Sequence, residues 1–241
     1  MKLLTRCTLT GADQSTSNIE LASLSHEFPI AEWGFLYSPS RQGTIQNPKY
    51  PGIAFIERAF KVLPAHVDVA LHICGKGVPD LIHGGKDVTD LVNQVNERGG
   101  RVQLNFNARR GEVSVVQLAA TMNTFPFVQF ITQQNDANAT VWRILQTYVQ
   151  HNHAVLFDTS GGRGESPDGW PNALSGISCG YAGGLGPDNI AEELPKIAMA
   201  ANSGHFWIDM EGKVRDEDGF FDLNKAKQCL EAASAFIKYT S

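Results

Sequence analysis

Three segments in the second half of the chain place carboxylates and glycines directly after short apolar runs. The first run ends at Asp158, the second leads into Gly183 and Gly184, and the third ends in Asp209 and Glu211. Low-dielectric surroundings can hold a carboxyl at a strand end in its protonated form, which makes it a general acid. The amides of a glycine-rich turn before a helix can bind an anion, although such a turn also serves as a tight connection without a ligand.

These residues need parallel strands whose C-terminal ends meet, and the chain offers eight strand candidates in alternation with helical patterns. The predicted strands are 3–8, 32–37, 67–73, 102–106, 127–132, 154–158, 177–181 and 206–209. The predicted helices are 17–27, 52–61, 88–97, 113–123, 139–151, 187–201 and 222–239, with a short one at 171–175 between strands six and seven. This alternation predicts a (β/α)₈ barrel in one domain, 1–241, whose chemistry lies where the strands end.

Composition and charge narrow the class of protein. A chain of 241 residues with 42% hydrophobic content suits a single α/β barrel. The 25 acidic residues exceed the 20 basic ones, and the longest basic run is Arg109-Arg110, which argues against a nucleic-acid surface. No stretch approaches the ~20 apolar residues that cross a bilayer, so we expect a cytoplasmic protein with no membrane partner. The four cysteines are scattered without a C-x-x-C spacing, as expected of reduced thiols.

The chain resembles the phosphoribosylanthranilate isomerase family of tryptophan biosynthesis, most strongly over residues 154–237. The likeness rests on Leu-Phe-Asp-Thr at 156–159, Gly-Gly-Arg-Gly at 161–164, Asp-Gly-Trp at 168–170, the glycine-rich segment 182–190 and Ile-Asp at 208–209. Thr-Arg-Cys at 5–7 lies on the strand where the family has Lys-Ile-Cys-Gly, and Trp-Gly-Phe-Leu-Tyr-Ser-Pro at 33–39 looks like its second strand. Val-Gln-Leu-Asn at 102–105 is similar to its fourth strand.

This resemblance implies an Amadori rearrangement, in which an aminoaldose becomes an aminoketose. An acid protonates the ribose ring oxygen and a base removes the C2′ proton. Matched by motif, the base is Cys7 and the acid is Asp158. A thiolate near an anion site can act as a base, whereas the alternative for Cys7 is a small buried core residue. The alternative for Asp158 is a strand-end carboxylate that caps the following loop.

The resemblance also implies the residues that contact the substrate. Arg41 corresponds to the arginine that binds the anthranilate carboxylate. Gly162 and Arg163 follow strand six and are further candidate substrate-binding residues. Gly183 and Gly184 follow strand seven, where the loop can hold the substrate phosphate.

Strand eight departs from the family, because Asp-Val-Ser-Ser-Gly is replaced by Asp-Met-Glu-Gly-Lys at 209–213. Asp209 is kept as a candidate binding residue, but Glu211 stands in place of a hydroxyl donor. Two like charges about 4 Å apart cost on the order of 4 kcal/mol at an effective dielectric near 20. Lys213 or Arg163 would then have to compensate; otherwise Glu211 faces something else, or the anion is absent or sits differently.

The predicted strand four carries a second departure, a polar face at period two. Gln103, Asn105, Asn107 and Arg109 share that face, and inside a barrel they would line a hydrogen-bonding pocket rather than a slot for an aromatic ring. We therefore expect little or no phosphoribosylanthranilate isomerase activity.

The sequence predicts a divergent isomerase of this kind that uses acid–base catalysis on a small sugar or sugar-phosphate adduct, without a cofactor. A binding or sensor barrel without turnover is one alternative. Another is a metal-assisted lyase or hydrolase that uses His72, Asp158, Asp209 and Glu211, since imidazole and carboxylates suit a divalent ion. The oligomeric state is left open.

Overall fold

Eight parallel strands close into a barrel in the computed structural model, which describes residues 4–44, 46–149, 152–158, 164, 166–202 and 204–240. Each strand pairs with the next along the chain, and the last pairs with the first. The strands are β1 (Leu4–Thr10), β2 (Ala31–Tyr37), β3 (Asp68–Cys74), β4 (Arg101–Asn105), β5 (Gln129–Gln134), β6 (His153–Asp158), β7 (Ser178–Ala182) and β8 (Phe206–Met210). The predicted (β/α)₈ barrel is confirmed.

Eight α-helices surround the barrel in the part of the chain described above. They are α1 (Asn18–Glu27), α2 (Ile53–Val62), α3 (Gly77–Ile82), α4 (Lys86–Arg98), α5 (Val115–Asn123), α6 (Val141–Tyr148), α7 (Ile190–Ala200) and α8 (Leu223–Thr240). The short α3 was not predicted. None of these helices is both long enough and apolar enough to span a bilayer.

Two predictions about the loops around β7 are wrong. Residues 171–175 form no helix, because two of their amides bond outside the segment: Ala173 N–H donates to the Ala200 carbonyl and Leu174 N–H to the Cys179 sulfur. Helix α7 begins at Ile190 rather than at 187. The Asn189 side chain bridges the turn before it, accepting from Gly186 N–H and donating to the Gly184 carbonyl.

The outward faces of the strands form the main hydrophobic core against the helices. Trp33 of β2 is fully buried there, and its indole N–H donates to Ser25 of α1. Its ring also packs edge-on against Phe221, with ring centroids 6.3 Å apart. The inward faces carry a smaller apolar cluster and a set of polar side chains. The apolar cluster consists of Ile131, Ala154, Leu156 and Trp207.

A buried ion pair lies within the barrel beside Trp207. Arg101 bonds to Glu32, which also accepts from Thr8, and the Arg101 guanidinium lies 4.7 Å from the centre of the Trp207 ring. Although burial alone would raise the pKa of Glu32, Arg101 holds it below its usual value. Gly180 makes room for Trp207, because a Cβ at that position would come within 2.1 Å of the indole. This layer fills the interior of the barrel on the N-terminal side of the polar groups at the strand ends.

Candidate active site

Asp209 is an acidic side chain buried at the C-terminal end of β8. Its exposed fraction is 6%, and its Oδ1 accepts a 2.8 Å hydrogen bond from the Thr10 hydroxyl. Thr10 ends β1, and its side chain fits inside the barrel because Gly34, on the neighbouring strand, has no side chain. A Cβ on Gly34 would come within 2.4 Å of the Thr10 hydroxyl oxygen. Three adjacent strands therefore fix the position of one carboxylate.

The environment of Asp209 suits proton transfer near neutral pH. Burial raises its pKa to about 7, against the opposing effects of the Thr10 hydrogen bond and the charge of Arg101. The carboxylates of Glu211 and Glu32 raise the pKa further. At pH 7 the carboxyl is therefore divided between its acid and base forms, as general acid–base catalysis requires.

Asp158 lies at the same level of the barrel wall, two strands away from Asp209. It pairs in register with Ala182, and Ala182 pairs in register with Asp209. Adjacent strands are roughly 4.8 Å apart, so the two acidic residues are about 10 Å apart along the sheet. Asp158 is 5% exposed and accepts a 3.0 Å hydrogen bond from the Gln133 amide. The small Ala182 side chain leaves room between the two carboxyl groups.

His72 of β3 is the third titratable group in this layer. Its Nδ1 is 4.0 Å from Asp209 Oδ2, and the side chain is almost completely buried. Burial lowers the pKa of His72 to about 4, so the imidazole is neutral at physiological pH. In the described part of the chain no group of three or more His, Cys, Asp or Glu side chains is arranged to hold a metal ion.

Of the four residues on the polar face predicted for strand four, only Gln103 and Asn105 point into the barrel. Gln103 is buried and its amide donates to Asn105 Oδ1 at 3.0 Å, while the Asn105 amide donates to Cys74 Sγ at 3.5 Å. Asn107 does not join them, because its side chain accepts from the Arg109 N–H and caps a short turn outside the strand. Gln103 and Asn105 form a hydrogen-bonding wall next to His72.

The loop between β2 and α2 folds over the mouth of the barrel. Tyr50 is only 5% exposed, and burial raises the pKa of its hydroxyl. Arg41 is exposed; its Nη1 is 3.4 Å from the Tyr50 hydroxyl. Lys49 Nζ donates to Glu211 Oε1 at 2.8 Å. The charge of Glu211 is thus met by Lys49, a partner that the sequence analysis did not identify, and not by Lys213.

The glycine-rich turn after β7 borders a separate cavity of about 400 Å³. Gly183 and Gly184 both have positive φ angles, +129° and +59°, which side chains other than glycine rarely adopt. Lys213 packs against Gly186 in this turn, so its side chain stands beside the cavity. The cavity is lined by Gly164, Ser166, Gly184, Gly186, Asp188, Asn189 and Lys213. Gly162 and Arg163, which were predicted to bind here, lie outside the described residues.

The assignment of Cys7 as the catalytic base is wrong. Cys7 is completely buried on the outer face of β1, where it belongs to the core packed against α8, and burial raises the pKa of its thiol. Alternation along β1 explains this, because Thr8 and Thr10 face inward and Cys7 therefore faces outward.

Comparison with solved structures confirms the likeness at the level of the fold. The structure of TrpF from Jonesia denitrificans matches 96% of this chain and 97% of its own, with a TM-score of 0.61 and 16% identity. A phosphoribosylanthranilate isomerase solved with reduced 1-(o-carboxyphenylamino)-1-deoxyribulose 5-phosphate matches 96% of this chain and its entire own length, with a TM-score of 0.60 and 18% identity.

A truncated 3-deoxy-D-arabino-heptulosonate 7-phosphate synthase from Thermotoga maritima also matches, over 98% of this chain and 87% of its own, with a TM-score of 0.56 and 12% identity. No family model and no curated protein matches the sequence. Identities this low establish a shared barrel fold, and barrels of one fold perform different reactions. The chemistry must therefore be argued from the site itself.

Proposed function

We propose that this barrel is an acid–base isomerase of a small sugar or sugar-phosphate adduct, in which Asp209 and Asp158 transfer the protons. The observation that carries the proposal is the burial of Asp209, which raises its pKa to about 7, while a second buried carboxyl lies two strands away at the same level of the barrel. The glycine-rich turn and Lys213 supply a place for the anionic group of the substrate. The isomerase structures of the same fold support this class of reaction.

The proposed reaction moves one hydrogen from C2 of an aminoaldose to C1. Asp158 gives a proton to the ring oxygen as the ring C1–O bond opens, which is the role that the family resemblance assigns to it. The Asp209 carboxylate then removes the proton from C2 to give the enaminol and returns it at C1. The C2 hydroxyl gives up its proton to the Asp158 carboxylate as the C2 ketone forms, which completes the aminoketose and restores both groups. Positioned acid–base groups of this kind typically contribute 10² to 10⁴-fold to the rate.

Deuterium exchange at C2 of simple sugar phosphates tests the proposal. The protein would be incubated in D₂O with ribose 5-phosphate, with its N-alkyl ribosylamine and with phosphoribosylanthranilate, and C2 deuteration followed by NMR. We expect exchange with the first or second compound, reduced at least 100-fold in Asp209→Asn and unchanged in Asp218→Asn, which alters an exposed carboxylate. Full exchange in Asp209→Asn would refute the assignment.

We expect phosphoribosylanthranilate to be a poor substrate, because Gln103 and Asn105 present amides where an aromatic ring would lie. Complementation of a tryptophan auxotroph that lacks the isomerase measures this directly. Robust growth with the unmodified chain would make phosphoribosylanthranilate the substrate.

A sensor that binds a ligand without turnover is the second candidate. One observation favours it: Cys7, which the family resemblance makes the base, is completely buried in the outer core, where no substrate in the barrel can reach it. Burial also raises the pKa of its thiol, which disfavours the thiolate that a base requires. Saturable binding of a sugar phosphate with no deuterium exchange at C2 would establish this function instead.

A further inference from the structure

The imidazole of His72 has one ring nitrogen that forms no hydrogen bond with the described residues. The side chain is 2% exposed, and its Nε2 has no hydrogen-bond partner among the described residues. A buried polar atom without a partner costs about 1 to 3 kcal/mol, so native proteins keep few of them. The family resemblance assigns no role to this position, which the sequence analysis named as a candidate metal ligand.

The other ring nitrogen faces the candidate catalytic carboxyl at a distance that fits an intervening atom. His72 Nδ1 and Asp209 Oδ2 are 4.0 Å apart, which is too far for a direct hydrogen bond. One oxygen atom can lie about 2.8 Å from both, with an angle at that oxygen of roughly 90°. The Thr10 hydroxyl occupies Asp209 Oδ1, so Oδ2 is the oxygen turned towards His72.

We propose that His72 is a substrate-binding residue: its Nδ1 and Asp209 together hold one hydroxyl of a polyhydroxy substrate, and its Nε2 bonds to a second hydroxyl of the same molecule. A neutral imidazole both donates and accepts hydrogen bonds, as a hydroxyl does, so the pair matches alcohols better than it matches anions. The inference rests on the proposed function in one respect, since both use Asp209. It adds that the site selects a sugar by a hydroxyl at the level of the reacting carbons.

The β2–α2 loop lies close to His72. The Tyr50 hydroxyl is hydrogen-bonded to Cys74, the next inward-facing residue of β3 after His72, and Lys49 joins the same loop to Glu211. Because the His72 side chain is only 2% exposed, a neighbouring group must move before a ligand can bind it, so the site should favour small molecules.

The ring signals of His72 give a direct test in the 241-residue chain. The chain would be labelled with ¹⁵N-histidine, and the His72 signals assigned by their loss in His72→Gln. D-ribose, ribose 5-phosphate, 2-deoxyribose 5-phosphate and inorganic phosphate would each be titrated in. We expect both ring nitrogens to shift with at least one of the three sugars and not with inorganic phosphate, and we expect His72→Gln to weaken binding of that sugar about tenfold. His83→Gln, at an exposed histidine, is the matched control and should bind normally.

The proposal is overturned if the His72 signals ignore all three sugars, or if His72→Gln binds them as tightly as the unmodified chain. Its failure is distinguishable from failure of the proposed function. If the His72 signals do not shift but deuterium exchange depends on Asp209, the proposed isomerase function is supported and the proposed role of His72 is refuted. If the His72 signals shift but no exchange occurs, His72 binds the sugar in a barrel without turnover.

Discussion

Replacement of Asp209 by asparagine should stabilise the protein at alkaline pH while it removes activity. The carboxyl has its ordinary pKa of 3.8 in the unfolded chain and a pKa of about 7 in the folded protein. Between these two values the folded state binds more protons than the unfolded state, so the free energy of unfolding falls as the pH rises. Asparagine has no proton to lose, and its amide oxygen can still accept from Thr10.

The size of the effect follows from the two pKa values. Each pH unit between them is worth about 1.36 kcal/mol, so the carboxylate costs roughly 4 kcal/mol once the pH exceeds 7. That is a large part of the roughly 5 to 15 kcal/mol that stabilises a typical domain. The two proteins should be about equally stable near pH 4. At pH 8 the Asp209→Asn protein should be more stable by up to about 4 kcal/mol.

Urea denaturation at pH values from 4 to 8 measures this difference. The same series on Asp218→Asn controls for the loss of an exposed carboxylate and should track the unmodified protein. Parallel stability curves for Asp209→Asn and the unmodified chain would refute the reasoning, because they would mean that burial does not perturb Asp209. The assay needs no substrate and is independent of any assignment of function.

Three further outcomes follow from residues around the barrel. Cys7→Ala should lower stability by about 1 to 3 kcal/mol through lost packing and leave deuterium exchange unchanged; a large kinetic defect in a folded protein would restore the thiol as a base. Arg101→Met should lower the free energy of unfolding by about 3 to 5 kcal/mol, since Glu32 loses its buried partner. A second change, Glu32→Leu, should recover most of that loss, and denaturation midpoints that show no recovery would contradict this. Lys49→Met should speed amide exchange in its own loop by freeing Glu211, and an unchanged exchange rate would show that their contact does not hold the loop.

Much of the fold could be predicted because period-two patterns and helix signals recur along this chain. All eight strands were found within a few residues of their observed ends. The absence of a helix at 171–175 could not be predicted in this way, since the Ala173 amide bonds to Ala200, which is close to it only in the folded chain. Helix α3 was missed because six residues give too little periodicity to reveal a helix.

The positions of Asp158 and Asp209 could be predicted from the sequence, whereas the direction in which the Cys7 side chain points could not. Asp209 and Asp158 lie at strand ends, where either an apolar run or the family motif marks them. Cys7 required the correct phase along β1, and a shift of one residue turns a side chain from the pocket to the outer core. The alternation of Thr8 and Thr10 was the available signal. The pairing of Lys49 with Glu211 joins residues 162 positions apart, and no local pattern predicts it.

The close approach of Gly34 to Thr10 limits how this sequence can vary in evolution. Any side chain at residue 34 would collide with the Thr10 hydroxyl, which would have to move away from Asp209. The two positions should therefore covary, so that chains with alanine or a larger residue at 34 carry a smaller residue than threonine at 10. In such chains the strand-eight acid would lose its fixed orientation. A glycine in the middle of β2 thus identifies, from sequence alone, which relatives keep this carboxylate in the same arrangement.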